Sequence, residues 1–506
     1  MMETLHASLM LVLDPEVIAI ILASSAFGLF VGAVPGLSAT LATALLVPIT
    51  FFMPPIMAIS SIISCAAMAI YAGDITGALL RIPGTAASAA YTEDSYRLTQ
   101  AGRLPDALGA SLIAAAIGGT IGTIVLVTAS SQLAKIALSF SSFEYFWLVL
   151  LGLSAGVLVS PASPYKALVS LGLGLLLSSV GLALTGQPRF TMGIFELQAG
   201  IALISVLIGA FAVAELFRKA ETVSQEAKIL PKISGNVLAG QFRNVWRRKV
   251  SVVRGSLLGV VVGIIPGAGC DVAAWLAYAT SKRFSKTPEK FGKGHQEGII
   301  EAGASNNSAI SGAFVPTLVF GVPGDALTAI VVGILLIKGI TPGPSVFVDS
   351  ATLVYAMFIV FFLANFLLIP LGTLAIYCSR NILAVKDSIL YPIILIFCVT
   401  GAFATNNTVF DIWIIAISGF AVWLLSRNGY PAAPLVLGMV LGNMLETHFF
   451  SSVLKARGSI VPFFDRPIAG TLGVITLIVW VLIFVLPHVI RIRRKKQALK
   501  EAAEAV

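Results

Sequence analysis

Between Glu16 and Asp74 the chain carries no lysine, arginine, aspartate or glutamate. No other feature narrows the fold so far. A soluble domain has roughly a quarter of its residues charged, and an uncharged stretch of this length has no soluble core to hide in. Further apolar segments follow at about 107–134, 138–160, 165–186, 193–214, 255–279, 309–337, 351–379, 388–410, 412–426, 430–450 and 468–490. Many approach the roughly 20 residues that cross a hydrocarbon layer about 30 Å thick. Only 11% of the 506 residues are charged and mean hydropathy is +0.95. A membrane β-barrel needs short segments of alternating polarity, which these are not. The expected fold is therefore an all-α polytopic membrane protein with about a dozen transmembrane or re-entrant helical segments.

The four cysteines (Cys65, Cys270, Cys378, Cys398) lie in or beside apolar segments without metal-ligand or disulfide spacing, and read as packing residues. Glu3, Asp14 and Glu16 precede the first long apolar run, where a cleaved signal would be basic. Retention in a bacterial-type inner membrane is expected. The net charge of +9 follows the membrane and is no nucleic-acid signal. Basic residues cluster at 218–254, at Lys282, Arg283, Lys286, Lys290 and Lys293, and at Arg491, Arg493, Arg494, Lys495, Lys496 and Lys500. The positive-inside rule makes all three clusters cytoplasmic, the C-terminus included. A single crossing by 255–279 would put the first two on opposite sides. The break "GIIPGAGCD" in its middle resolves this, because proline removes a helix hydrogen bond and glycine permits a turn. A helix–break–helix that enters and returns is expected there.

The same pattern occurs earlier. "GLFVGAVPGLSAT" (28–40) aligns with "GVVVGIIPGAGCD" (259–271), so Pro35 and Gly36 fall in register with Pro266 and Gly267. Each is followed by a second break, "LLRIPGTAAS" with Pro83 and Gly84, and "LVFGVPGDAL" with Pro323 and Gly324. The flank after the second copy is basic and the flank after the first is neutral, which suggests two inverted repeats, an architecture of many secondary transporters. The expected organisation is a first membrane repeat (1–217), a basic cytoplasmic connector (218–254), a second repeat (255–490) and a cytoplasmic tail (491–506).

Broken helices expose unpaired backbone groups, and helix N-termini attract anions. The expected substrate-binding set is Pro35, Gly36, Ser38, Gly84, Thr85, Ser88, Gly267, Gly269, Asn306, Asn307 and Gly324, with Ser38, Thr85 and Ser88 as neutral donors. Asn306 and Asn307 are alternatively interhelical packing glue. Asp74, Asp271 and Asp325 are costly in an apolar setting and are candidates for holding a coupling cation or relaying protons. Asp271 and Asp325 have the alternative role of capping helices that restart after each break. Arg81 is a candidate anion partner, or else snorkels to an interface or pairs with Asp74. His6, His295, His448 and His488 lack metal-ligand spacing, and no nucleotide-binding or hydrolase motif occurs.

Taken in order, "GLFVGAVPGL", "RIPGTAAS", "GIIPGAG", the "NN" pair and "PTLVFGVPG" resemble the large membrane subunit of the tripartite tricarboxylate transporters, the TctA family, over roughly residues 20–470. The four Pro-Gly breaks, Asn306 and Asn307 match the family's positions. Gly303 stands where the family often has glutamate, and Asp325, Asp271 and Arg81 are atypical. The resemblance implies a non-enzymatic secondary transporter that imports di- or tricarboxylates on a sodium or proton gradient. It also implies two partners, a small membrane subunit and a periplasmic substrate-binding protein, besides membrane lipid. The rival readings are a membrane-embedded enzyme using Asp74, Arg81, Glu93 and Asp94 on a lipid-linked substrate, and a passive anion channel.

Overall fold

The computed structural model describes residues 2–160, 162–221, 235–385 and 387–504, and within these only the backbone of 2, 387–388, 404–406 and 486–504. Lys228 and Lys232 of the basic connector lie outside the described residues, as do the side chains of the C-terminal basic cluster and His488. The described residues are helical almost throughout, with one short antiparallel pair among them, Gly181–Leu182 against Pro188–Arg189. Among the described residues seven helices are long and apolar enough to cross a membrane, and four shorter apolar helices accompany them. This is the all-α polytopic membrane protein that the apolar runs require.

The chain packs as two compact units, Met1–Leu138 with Ala202–Leu424, and Ser139–Ile201 with Leu425–Val506. The second unit contains the helices Ser142–Val159, Pro164–Ser178, Ala432–Lys455 and Pro467–Glu504. Phe143, Trp147, Phe463 and Ala469 form one of its cores, and Trp147 Nε1 donates to the Phe463 carbonyl at 2.8 Å. Arg189 and Glu446 make a two-pronged ion pair at 2.8 and 2.9 Å, tying the strand pair to a helix.

All four breaks lie in the first unit. Its relevant helices are α1 (Pro15–Gly32), α2 (Ala39–Thr50), α3 (Pro55–Leu80), α4 (Thr92–Gln100), α5 (Ala110–Ala137), α6 (Lys249–Ile264), α7 (Gly269–Phe284), α8 (Gln296–Phe320) and α9 (Ala326–Ile337). The stretch 255–279 is the expected helix–break–helix: α6 and α7 pack on each other and both pack on α8. α3 and α8 are buried along nearly their whole length. Helices can approach this closely only where side chains are small. A Cβ on Gly28 or Gly32 of α1 would fall 2.4 or 2.5 Å from the carbonyl oxygen of Cys65 or Ala69 in α3. In the later half, Gly259 and Gly263 of α6 stand 2.3 Å by the same measure from the carbonyls of Ser305 and Ala309 in α8. The residues touched in α3 and α8 are separated by one constant sequence offset. Four glycines chosen for their sequence register thus make the same contact twice.

Candidate functional site

The second breaks of the two halves share their construction as well. α3 ends on Arg81 in the left-handed conformation (φ 61°), and α8 ends on Gly321 in the same conformation (φ 71°). Three residues on, a Cβ on Gly84 would lie 2.5 Å from Gly73 Cα, and one on Gly324 would lie 2.7 Å from Ala313 Cα. The chain then folds back over its own helix. Thr85 and Ser88 exchange bonds, each backbone N–H donating to the other's hydroxyl at 3.1 Å. Asp325 and Thr328 do the same: the Asp325 N–H donates to Thr328 Oγ1 at 2.9 Å, and the Thr328 N–H to Asp325 Oδ1 at 2.8 Å. These are reciprocal capping boxes, and every pair in this comparison keeps the offset found between α3 and α8. Gly84→Ala and Gly324→Ala are each expected to lower stability by about 1–3 kcal/mol through overpacking. Thermal unfolding in detergent checks this, and a loss confined to one of them would break the equivalence.

Breaks also meet across the halves. The Gly267 N–H donates to the Gly324 carbonyl at 2.7 Å, joining the two breaks of the later half. Gly269 opens α7 with its backbone against Asp325, whose Cβ would lie 3.1 Å from an added methyl. Asp271, exposed in the first turn of α7, accepts from the Ala87 N–H at 3.1 Å, and Trp275 Nε1 donates to the Ala86 carbonyl at 3.1 Å. The end of the first half's second break is thereby fastened to the start of α7. The first break is served differently: Lys219 Nζ donates to the Pro35 carbonyl at 3.3 Å, and a Cβ on Gly36 would strike that ammonium group.

Asn306 and Asn307 sit in the buried middle of α8, 1% and 2% exposed. Asn307 Nδ2 reaches the Ala67 carbonyl of α3 at 3.5 Å. Ala67 is the counterpart that the constant offset assigns to Asn307, so α3 and α8 meet at equivalent positions. One turn before Asn306, Ala302 packs with Ala87, Ala90, Tyr91 and Ala274. Two turns after it, Ala313 lies under Gly324. The pair therefore lies on the stretch of α8 that both second breaks touch. Among the described residues neither Asn306 Oδ1 nor Asn307 Oδ1 has a hydrogen-bond partner.

The other candidates have defined surroundings. Asp74 is buried in α3 and accepts from Tyr91 Oη at 2.6 Å and from Ser111 Oγ at 2.5 Å, one neutral hydroxyl on each oxygen. Arg81 is exposed; its Nε lies 2.8 Å from Glu93 and its guanidinium 5.8 Å from the Tyr96 ring, so its partners are on α4 and its pairing is not with Asp74. Ser38 caps α2, its hydroxyl accepting from the Leu41 N–H at 3.1 Å. Asp94, fully buried, accepts from Tyr278 Oη and from the N–H groups of Gly292, Gly294 and His295. The four residues of the rival enzyme reading thus divide between a hydroxyl-bound carboxylate, a surface ion pair and a backbone clamp. Sequence reasoning missed Tyr91, Ser111, Trp275 and Lys219. Lys219 was hidden inside a basic cluster, and the first three carry no signal until the breaks are folded together.

The family model described as "Tripartite tricarboxylate transporter TctA family" matches residues 18–437. A 52.8 kDa protein of the TAR-I ttuC' 3' region of Agrobacterium vitis is 35% identical over 476 residues, 94% of this chain and 94% of its own. Another Agrobacterium vitis protein, of the TAR-II ttuC' 3' region, is 35% identical over 214 residues, 42% of this chain and 88% of its own. No solved structure matches. The matched span holds all four breaks, the asparagine pair and the helices that carry them, and the chain belongs to the tripartite tricarboxylate transporter TctA family.

Proposed function

We propose that this chain is the substrate-translocating subunit of a cation-coupled importer of di- or tricarboxylates in a bacterial inner membrane. It works with a small membrane subunit and receives substrate from a periplasmic binding protein. The two halves act as inverted repeats about the α3–α8 contact, with the basic connector and the C-terminus cytoplasmic. The carboxylates are held where the broken helices restart after the Pro-Gly pairs.

The observation that carries this reading is the meeting of breaks within one unit: Gly267–Gly324 joins the two breaks of the later half, and Ala87–Asp271 ties the earlier half to the later one. Helix N-termini there favour an anion, while Asp325 lies against Gly269, two residues before Asp271. Two carboxylates beside an anion site oppose a bare carboxylate and admit one accompanied by a cation. That is a physical basis for coupling.

The test is uptake of labelled di- and tricarboxylates into cells that express the chain with its two partners, with and without sodium and proton gradients. Saturable uptake that follows a cation gradient is expected. Non-saturable flux indifferent to any gradient would mean a channel, and no carboxylate uptake from a correctly assembled complex would reject the reading.

A further inference from the structure

The asparagine pair offers the wrong groups for a carboxylate. Asn307 Nδ2 is directed to the Ala67 carbonyl, and turning the amide over would set carbonyl against carbonyl. Tyr91 donates its hydroxyl hydrogen bond to Asp74, so the phenol oxygen is left to accept, and the Asn306 side chain is its neighbour. What remains from both residues is carbonyl oxygen, buried and unpartnered. An unpaired buried acceptor is costly, and two on adjacent residues call for a positive ligand. Asp74 stands behind Tyr91, each of its oxygens taking one neutral hydroxyl, from Tyr91 and from Ser111. Among the described residues no group of three His, Cys, Asp or Glu is arranged to hold a metal. Neutral amide oxygens therefore suit a monovalent ion better than calcium or magnesium, whose sites are built on carboxylates.

We propose that Asn306 Oδ1 and Asn307 Oδ1 belong to a sodium-ion site on α8. The proposal rests on the transporter reading for its role in coupling, and on the orphaned oxygens alone for the site itself. Asp74, Tyr91 and Ser111 are positioning residues that fix which end of Asn306 is presented.

The experiment is thermal unfolding of the purified full-length protein in detergent, in sodium, potassium and choline chlorides at equal ionic strength, together with equilibrium binding of radioactive sodium. Sodium is expected to raise the midpoint where potassium and choline do not, since a ligand of the native state stabilises it. Asn306→Ala and Asn307→Ala are expected to weaken sodium binding at least ~10-fold, the equivalent of about 1.4 kcal/mol. Asn306→Asp keeps the oxygen and adds charge, so it is expected to retain the sodium response; it carries the test should the alanine variants fail to fold. A wild-type protein indifferent to sodium would mean a buried water only, and would overturn the site. So would a sodium response that survives both alanine changes, or one that Asn306→Asp abolishes. Sodium binding with no carboxylate uptake under any gradient would sink the transporter reading and leave the site. Proton-driven uptake with no sodium binding would do the reverse.

Discussion

Asp94→Ala is expected to lower stability by about 3–5 kcal/mol, the scale of losing several hydrogen bonds to one buried charge. The carboxylate accepts from Tyr278 Oη at 2.6 Å and from the N–H groups of Gly292, Gly294 and His295 at 3.0, 2.7 and 2.8 Å. Alanine would leave those backbone donors to water and release the 285–295 connection between α7 and α8. Thermal unfolding in detergent and limited proteolysis of that segment measure both effects. Glu93→Ala, one residue away, is expected to cost almost nothing. Its partners Arg81 and Arg97 are exposed, and surface pairs of this kind contribute little. Arg97 and Arg81 hold the Glu93 carboxyl below its ordinary range. The small stabilisation that follows is present above the unfolded value and is lost as pH falls through the lowered folded one. Equal losses from the two variants would mean that Asp94 is not the clamp.

Arg254→Met is expected to destabilise on the same scale for a different reason. Arg254 Nε and Nη2 reach the two oxygens of Glu301, each at 2.6 Å, and the guanidinium lies 4.9 Å from the centre of the Phe284 ring. Glu301 has no exposure at all. Removing the arginine leaves a buried carboxylate uncompensated, a loss of about 3–5 kcal/mol. The double variant Arg254→Met/Glu301→Leu is expected to recover most of it, because replacing both charges removes the desolvation cost together with the attraction. Unfolding midpoints of the two single variants and the double variant close the cycle. A double variant as unstable as Arg254→Met would show that the pair contributes attraction beyond its own desolvation.

The Gly255 position explains why this ion pair can exist. A Cβ there would stand 2.3 Å from the Glu301 carbonyl, so α6 and α8 touch backbone to backbone beside it. Sequence reading placed Arg254 in a cytoplasmic basic cluster and gave it no partner. Forty-seven residues separate it from Glu301, and nothing local in the chain pairs them.

What the sequence determined by itself is the class and the punctuation. Apolar runs without charge demand helices in lipid, because only there is every backbone group satisfied within its own segment. Pro-Gly pairs stop those helices wherever they fall, because proline lacks the N–H and glycine tolerates the turn. Both are properties of single residues and their neighbours, so the four breaks and their doubling were legible from the letters. Partnership was not. Whether Asp74 meets two hydroxyls, Asp94 clamps a distant loop or the asparagines present oxygen or nitrogen depends on which helices come together. Those contacts span tens to hundreds of residues and are decided by packing, through glycines that let α1 lie on α3 and α6 on α8. The tertiary structure alone could turn a row of polar residues in an apolar chain into bonded ones and two oxygens left open.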